Sequence, residues 1–271
     1  MPSKSDPRPI GVFDSGIGGL TVASALSKVL PGEQLIYFGD TVHLPYGEKS
    51  AAAIRSYASG IGKFFIAQNC KAVVIACNTA SAVATRTMTK LLTSKIPVIN
   101  VIDPTANFVA AQYKTGKIGV IATKATVNSR IYAKRIEKKN PNLKVTMLAT
   151  PLLVSMVEEG FFNNNISQAI INAYLEKSNL RDIQALILGC THFPLIKKEV
   201  SGYYKGKTRV IDSSELVAEF TKAVLAKNNI LNGGKAAAHR FYVSDLTTSF
   251  TESTHIFFGK KVKLSAKNLW D

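Results

Sequence analysis

The sequence is poor in the residues that build disulfide frameworks and metal sites. Its 271 residues include three cysteines, Cys70, Cys77 and Cys190, and four histidines that are scattered along the chain. An odd number of cysteines without CxxC spacing argues against both a disulfide framework and a structural zinc site. We therefore predict reduced thiols and no bound metal.

Long hydrophobic runs are also missing. No apolar run approaches the roughly 20 residues that a membrane-spanning helix requires. The first residues, Met1–Pro9, are polar and contain no apolar secretory segment. Together with the reduced cysteines, these absences predict a cytoplasmic protein that does not enter a membrane.

Acidic residues are scarce, with 18 against 34 basic ones, so the formal net charge is +16. Such a charge attracts nucleic acid and other anions. However, no basic run is interleaved with aromatic residues, and Lys134, Arg135, Lys138 and Lys139 have the spacing of one helix face. We therefore predict that the charge is spread over solvated surfaces, and that nucleic-acid binding is at most weak and non-specific.

Short apolar runs alternate with longer stretches that carry apolar residues at helical spacing, such as Leu20–Val29, Ser50–Gln68 and Ser81–Leu92. The runs are rich in Val and Ile and lack strict alternation, which is typical of strands buried on both faces of a parallel sheet. Strand followed by helix, repeated, predicts a doubly wound α/β fold with mainly parallel sheets. The predicted strands are Ile10–Phe13, Leu35–Phe38, Ala72–Ala76, Val98–Ile102, Ile118–Ala122, Val145–Leu148, Ala185–Leu188 and Arg209–Ile211, followed by Phe241–Val243, His255–Phe258 and Lys260–Leu264.

A weak internal echo predicts two similar lobes. Ile10–Ser15 resembles Ile118–Thr123, and Val74–Thr79 resembles Leu186–Thr191, so that each half contains one cysteine at a strand end. Proline disfavours helix in the residue before it, so Asp103-Pro104 is interpreted as a linker. The predicted lobes are residues 1–103 with 210–271, and residues 104–209, with the active site in the cleft between them.

The two strand-end cysteines are the main candidates for chemistry. In open α/β sheets, ligands bind beyond the carboxyl ends of the strands. Cys77 is followed by Asn78, Thr79 and a helical pattern, whose free N–H groups favour a thiolate and can hold a carboxylate. Cys190 follows Gly189, which we interpret as permitting a turn, and it precedes Thr191 and His192, a side chain able to tune the protonation of the thiol. Either cysteine could instead be a buried structural residue, which is the role that we predict for Cys70.

The first predicted strand ends in a glycine-rich turn, Asp14–Gly19. It resembles a dinucleotide-binding fingerprint, but the third glycine of G-x-G-x-x-G would fall at Thr21. The turn therefore favours a small polar ligand beside Asp14 and Ser15 over a nucleotide. Pro45, Tyr46 and Gly47 follow the second strand, in a loop that is either an ordinary turn or a cover for the same site.

These motifs together resemble glutamate racemase. The resemblance extends over nearly the whole chain, and it rests on four motifs in the family's order: Phe13–Val22, Pro45–Gly47, Ala76–Ser81 and Leu188–Pro194. It implies cofactor-independent interconversion of L- and D-glutamate, the reaction that supplies D-glutamate for peptidoglycan. It also implies a homodimer.

The resemblance implies a role for each site residue. Cys77 would take the Cα proton from D-glutamate and Cys190 the one from L-glutamate, with Asp14 and His192 as their respective polar partners. A further catalytic glutamate would be Glu158, with Glu159 as the alternative. The implied substrate contacts are Asp14, Ser15, Pro45, Tyr46, Gly47, Asn78, Thr79, Thr191 and His192.

Three other functions remain open at this point. The protein could racemise aspartate or another small amino acid. It could be a non-catalytic protein that binds nucleic acid or gyrase through its positive charge. It could also bind a nucleotide at Gly16–Gly19, although the misplaced third glycine argues against this function.

Overall fold

The structure, a computed structural model, describes residues 5–93 and 96–270. The chain divides into two compact units. One consists of the chain up to Val101 together with the chain from Ser214 onwards, and the other is Ile102–Ser213. Each unit contains one sheet, and all recorded strand pairs in both sheets are parallel. The predicted α/β class with mainly parallel sheets is confirmed.

The first unit is built on a six-stranded sheet with the strand order β10-β9-β2-β1-β3-β4. Its central strands are buried along their whole length, which explains their continuous apolar runs. The elements of this unit are β1 Ile10–Asp14, α1 Leu20–Val29, β2 Leu35–Gly39, α2 Ala51–Ala67, β3 Ala72–Ile75, α3 Asn78–Leu92, β4 Val98–Asn100, α10 Ser213–Lys227, β9 Arg240–Val243, α11 Thr248–Phe258 and β10 Leu264–Ala266, with short 3-10 helices at Thr41–His43 and Tyr46–Glu48.

The second unit is built on a four-stranded sheet with the strand order β6-β5-β7-β8. A glutamate protects its edge strand β6: the Glu137 carboxylate accepts the outward N–H of Val145 at 3.1 Å. The elements of this unit are α4 Ile102–Gln112, β5 Gly116–Ala122, α5 Lys124–Ser129, α6 Ile131–Lys139, β6 Leu143–Ala149, α7 Leu152–Glu158, α8 Asn165–Leu175, β7 Ala185–Gly189, α9 Lys197–Tyr204 and β8 Arg209–Ile211, with short 3-10 helices at Ser178–Leu180 and Phe193–Ile196.

The sequence interpretation is wrong at Asp103-Pro104, which is not a linker. Both residues lie in the first turn of α4, which begins at Ile102, and the predicted strand Val98–Ile102 ends at Asn100. The first four N–H groups of a helix have no partner within it, so the N–H that proline lacks costs nothing there.

Two of the strands predicted near the end of the chain are also wrong. His255–Phe258 is the last turn of α11, which Thr247 begins by accepting the N–H of Phe250 on its hydroxyl, and which Gly259 ends in the left-handed conformation. Lys260–Leu264 is extended only from Leu264, where β10 begins.

Candidate active site

In each sheet, the order of the strands reverses beside one central strand, so that the following strands lie on its two sides. In the first unit, β1 lies between β2 and β3, and in the second unit, β5 lies between β6 and β7. The order reverses between β1 and β3 in the first unit and between β5 and β7 in the second. Such a switch point leaves a crevice beyond the carboxyl ends of the two strands, and ligands bind there in open α/β sheets. Cys77 follows β3 and Cys190 follows β7, so each unit has one thiol at this position.

Cys77 lies at the N-terminus of α3, where it is the N-cap residue. Its sulfur accepts the backbone N–H of Ala80 at 3.4 Å, and it lies 3.6 Å from the hydroxyl oxygen of Ser15. The side chain is buried, as are those of Asn78 and Thr79 in the first turn of the helix. The positive end of the helix dipole and the N–H group both favour negative charge on the sulfur.

Asp14 ends β1, beside Cys77, in the turn that the sequence marks with glycines. It is fully buried, and its carboxylate accepts the backbone N–H of Gly16 at 3.0 Å. A Cβ atom on Gly19 would lie 2.4 Å from that of Asp14, so this glycine makes room for the carboxylate. The turn therefore surrounds an acidic side chain, whereas a phosphate would require a free ring of N–H groups.

The loop after β2 contributes Pro45, Tyr46 and Gly47. Pro45 is exposed and Gly47 half-buried, but Tyr46 is buried and donates its phenolic hydrogen to Asp40 at 2.6 Å. Burial first, and then the charge of Asp40 and the hydrogen bond to it, raise the pKa of Tyr46 far above its usual value. Tyr46 packs in the same buried core cluster as Cys77, and the charge of that sulfur raises the pKa of the phenol further.

The second thiol has a different set of neighbours. Cys190 is buried, and its sulfur lies 3.6 Å from Nδ1 of His192. The other ring nitrogen, Nε2, lies 2.9 Å from Oε1 of Glu158 at the end of α7. Thr191, between the cysteine and the histidine, is also buried. The sulfur, the imidazole and the carboxylate thus form a row of three groups able to carry protons.

The protonation of His192 depends on its two partners. Burial by itself lowers its pKa, but the hydrogen bonds and charges of Cys190 and Glu158 outweigh this effect and raise the pKa well above 6.5. An imidazolium beside the sulfur favours negative charge on that sulfur and can supply a proton to it.

The structure separates the candidate residues from residues with a structural role. Cys70 is buried just before β3, and burial raises the pKa of its thiol to about 12, which makes it inert at neutral pH. Glu158 contacts His192, whereas Glu159 is exposed. The interpretation of Gly189 as a turn residue is wrong. It is the last residue of β7, where a Cβ atom would come 2.9 Å from the carbonyl oxygen of Ile121.

Sequence reasoning missed several residues around the thiols. Asp40 directly follows β2, much as Asp14 ends β1, and this acidic residue at a strand end was the signal for it in the sequence. Tyr37 lies within β2 and donates to the carbonyl of Gly16 at 2.7 Å. Tyr132 is buried, and burial first, and then the charge of Cys190, raise its pKa. These two tyrosines lie in a strand and a helix, where the sequence pattern predicts only packing.

No cluster of three or more His, Cys, Asp or Glu side chains that could hold a metal ion occurs within residues 5–93 and 96–270. None of the helices in this part of the chain is long and apolar enough to cross a membrane.

The fold and the two sites define an α/β protein in which two units each present a buried thiol at a strand end. Residues 20–221 match the family model described as Asp/Glu/Hydantoin racemase. The chain belongs to this racemase family.

Several relatives share most of the chain. It is 43% identical over 257 residues to glutamate racemase of Neisseria meningitidis serogroup A, with 94% of each chain covered. The crystal structure of glutamate racemase from Francisella tularensis in complex with D-glutamate is 42% identical, has a TM-score of 0.91, and covers 97% of this chain and 98% of that one. Aspartate racemase of Picrophilus torridus shares only the fold, with a TM-score of 0.56 and 20% identity over 82% of this chain and 94% of that one.

Proposed function

We propose that this protein interconverts L- and D-glutamate without a cofactor. The observation that carries the proposal is the pair of buried strand-end thiols, Cys77 and Cys190, each with its own proton-handling neighbours. Relatives that share 94% of the chain's length are glutamate racemases, and one structural neighbour has D-glutamate bound. Aspartate racemase, the runner-up, shares only the fold with this chain.

The chemistry requires two groups because the proton leaves one face of Cα and returns to the other. In the D-to-L direction, the thiolate of Cys77 removes the Cα proton and its electron pair stays on the substrate. The thiol of Cys190 then gives its proton to the opposite face of the carbanion and becomes the thiolate. The L-to-D direction uses the same steps in reverse, so the proton count balances in every cycle.

The carbanion needs stabilisation because the α-proton is only weakly acidic. We propose that the substrate carboxylates bind through the N-terminus of α3, Asn78, Thr79, Thr191, Ser15 and the Pro45–Gly47 loop. Hydrogen-bond donors held in fixed positions stabilise charge on a carboxylate more strongly in a water-poor site than in bulk water. The burial of Asn78, Thr79 and Thr191 supports this assignment.

The neighbours of the two thiols have distinct proposed roles. Asp14 is the polar partner on the Cys77 side. On the Cys190 side, His192 exchanges protons with the sulfur, and Glu158 keeps the imidazole oriented and protonated. The raised pKa of His192 supports this role.

The direct test is circular dichroism of enantiopure D- or L-glutamate with the purified protein and no added cofactor. We expect the signal to decay to zero from either enantiomer, and the rate to survive treatment with a chelator. Enantiopure aspartate is the matched control, and its signal should decay much more slowly. If aspartate reacted faster, aspartate would be the substrate instead of glutamate. If neither amino acid reacted, the racemase proposal would be refuted.

Further properties follow from the same assignment. We propose that the two compact units are the lobes that contribute one thiol each. We also propose that the protein is a cytoplasmic homodimer, that it binds nucleic acid at most weakly and non-specifically, and that its D-glutamate is used for peptidoglycan. Sedimentation velocity tests the dimer, and the salt dependence of DNA binding tests the nucleic-acid proposal, since a charge-driven affinity falls steeply with salt.

A further inference from the structure

Ser244 connects the end of the chain to the loop that contains Tyr46. It follows β9, it is buried, and its hydroxyl donates to Oδ1 of Asp40 at 3.0 Å. The same hydroxyl accepts the backbone N–H of Val42 at 2.9 Å, and the backbone N–H of Ser244 donates to the carbonyl of Gly39 at 3.0 Å. One small side chain thus fixes both the Asp40 carboxylate and the backbone that follows it.

Asp40 is the centre of this network. Its carboxylate is fully buried, and it also bonds to Nδ1 of His43 at 2.9 Å and to the hydroxyl of Tyr46 at 2.6 Å. A buried carboxylate needs such partners, because it has lost its water. The backbone N–H of Asp40 donates to the carbonyl of Asp14 at 3.0 Å, so the network is joined to the turn beside Cys77.

Tyr46 links the network to the thiol. It is buried, and it packs in the same core cluster as Cys77. Tyr46 also begins the 3-10 helix that contains Gly47. A shift of the Asp40 carboxylate would therefore move both the phenol beside Cys77 and the backbone of this loop.

We propose that Ser244 is a positioning residue for Cys77, acting through Asp40 and Tyr46. The proposal rests on the proposed racemase function. It gives the segment after β9 a role in the proton transfer to and from Cys77. Ser244 does not touch the reacting atoms: it sets the geometry of the groups that do.

Ser244→Ala should lower kcat/KM for glutamate about tenfold, as loss of one hydrogen bond to a buried charged group does. Enantiomers have equal free energies, so the equilibrium constant is one and kcat/KM must fall by the same factor in both directions. Rates alone therefore cannot assign the effect to one thiol, but deuterium at Cα can. If transfer to and from Cys77 becomes slower, the isotope effect should rise with deuterated D-glutamate and fall with deuterated L-glutamate.

Ser24→Ala is the matched control. Ser24 is buried to the same degree, at 8% exposure against 7% for Ser244, and its hydroxyl also bonds to the end of the chain, at the carbonyl of Phe258. It lies in α1 and is not hydrogen-bonded to Asp40 within the described residues. This variant should lose some thermal stability but keep the wild-type isotope effects.

The variants Ser244→Thr and Ser244→Val, whose new side chains are isosteric with each other, keep the test usable if the alanine variant does not fold. The threonine variant retains the hydroxyl and should keep the wild-type isotope effects, whereas the valine variant should show the opposite changes for the two enantiomers. Normal kcat/KM in folded Ser244→Ala, or equal changes of both isotope effects, would overturn the positioning role. A wild-type protein that does not racemise glutamate would instead overturn the proposed function.

Discussion

Glu158→Gln should impair the protein by weakening the protonation of His192. The substitution keeps the shape of the side chain but removes the charge that lies 2.9 Å from Nε2 of the imidazole. The side chain of His192 is 4% exposed and that of Glu158 is 29% exposed, so solvent screens the pair only in part. A hydrogen bond to a charged group contributes about 1.5 to 3 kcal/mol, and the partial exposure of Glu158 favours the lower value. About 1.5 kcal/mol corresponds to roughly a tenfold fall in kcat/KM.

The pH profile gives the sign of the effect. Hydrogen bonds to Cys190 and Glu158 raise the pKa of His192 against the opposing effect of burial. Removing the carboxylate charge lowers this pKa, so the imidazole loses its proton at lower pH than in the wild type. The alkaline limb of kcat/KM against pH should therefore move to lower pH. The isotope effect should rise with deuterated L-glutamate, because Cys190 accepts that proton.

The measurement is kcat/KM for each enantiomer by circular dichroism across neutral to alkaline pH. Glu159→Gln is the control: it removes the same charge from the adjacent, exposed residue and should leave both the rate and the profile unchanged. If Glu159→Gln moved the alkaline limb and Glu158→Gln did not, the contact with His192 would not be the source of the effect.

Three more predictions concern the thiols and one half-buried histidine. Cys77→Ser and Cys190→Ser should each slow racemisation by at least about a thousandfold, because an alcohol is a far weaker acid than a thiol. Cys70→Ser is the control and should retain nearly full turnover. A fast Cys77→Ser or Cys190→Ser variant would refute the two-base assignment. In elimination assays with a β-chloro or N-hydroxy glutamate analogue, Cys190→Ser should prefer the D-form and Cys77→Ser the L-form, and a shared preference would mean that one thiol has the wrong role. Burial, and then the charge of a nearby lysine, lower the pKa of His239, whose Nδ1 accepts the N–H of Leu35 at 3.2 Å. The neutral ring therefore stabilises the fold above the unfolded-state pKa of about 6.5, and this contribution is lost as the pH falls. The free energy of urea unfolding should therefore depend less on pH in His239→Gln than in the wild type between about pH 7 and 5. An unchanged pH dependence would contradict this role.

The strands that pass through the middle of each sheet could be predicted from the sequence. Runs such as Leu35–Phe38 and Ala185–Leu188 are buried on both faces, and a short, continuous apolar run between longer helical stretches indicates such a strand. The end of the chain offered no such signal. His255–Phe258 has a short apolar pattern that suits a strand, but the cap at Thr247 and the left-handed Gly259 extend it into α11, whose Phe258 packs on Phe241 at 5.2 Å between ring centroids.

The candidate site could be predicted where it depends on local sequence. Cys77 and Cys190 each follow a recognisable strand, and His192 lies only two residues from its thiol. Contacts between distant segments could not be predicted in this way. The bond between Glu158 and His192 spans 34 residues, and the bond between Asp40 and Ser244 spans 204 residues. Both depend on how the helices and loops pack beyond the strands.

The two thiols have equivalent positions in their sheets but different chemical neighbours. In the first unit, β1 lies beside β3 and ends in Asp14, followed by Ser15, so the adjacent strand supplies the polar partners of Cys77. In the second unit, β5 takes the same place beside β7 but ends at Ala122, and the next two residues are Thr123 and Lys124, neither of which is acidic. The partners of Cys190 come instead from its own loop and from α7.

This difference has a chemical reason under the proposed function. L- and D-glutamate carry the same two carboxylates and the same ammonium group, and a chiral site holds them in one orientation while the proton changes face. The two faces of Cα therefore meet different surroundings, and nothing requires the acid and base on the two sides to be alike. The reaction requires a thiol on each side of Cα, and each unit has one buried thiol beyond the switch point of its own sheet. The helices and loops around each switch point can then supply hydroxyl and carboxylate partners on one side, and an imidazole with its own carboxylate on the other.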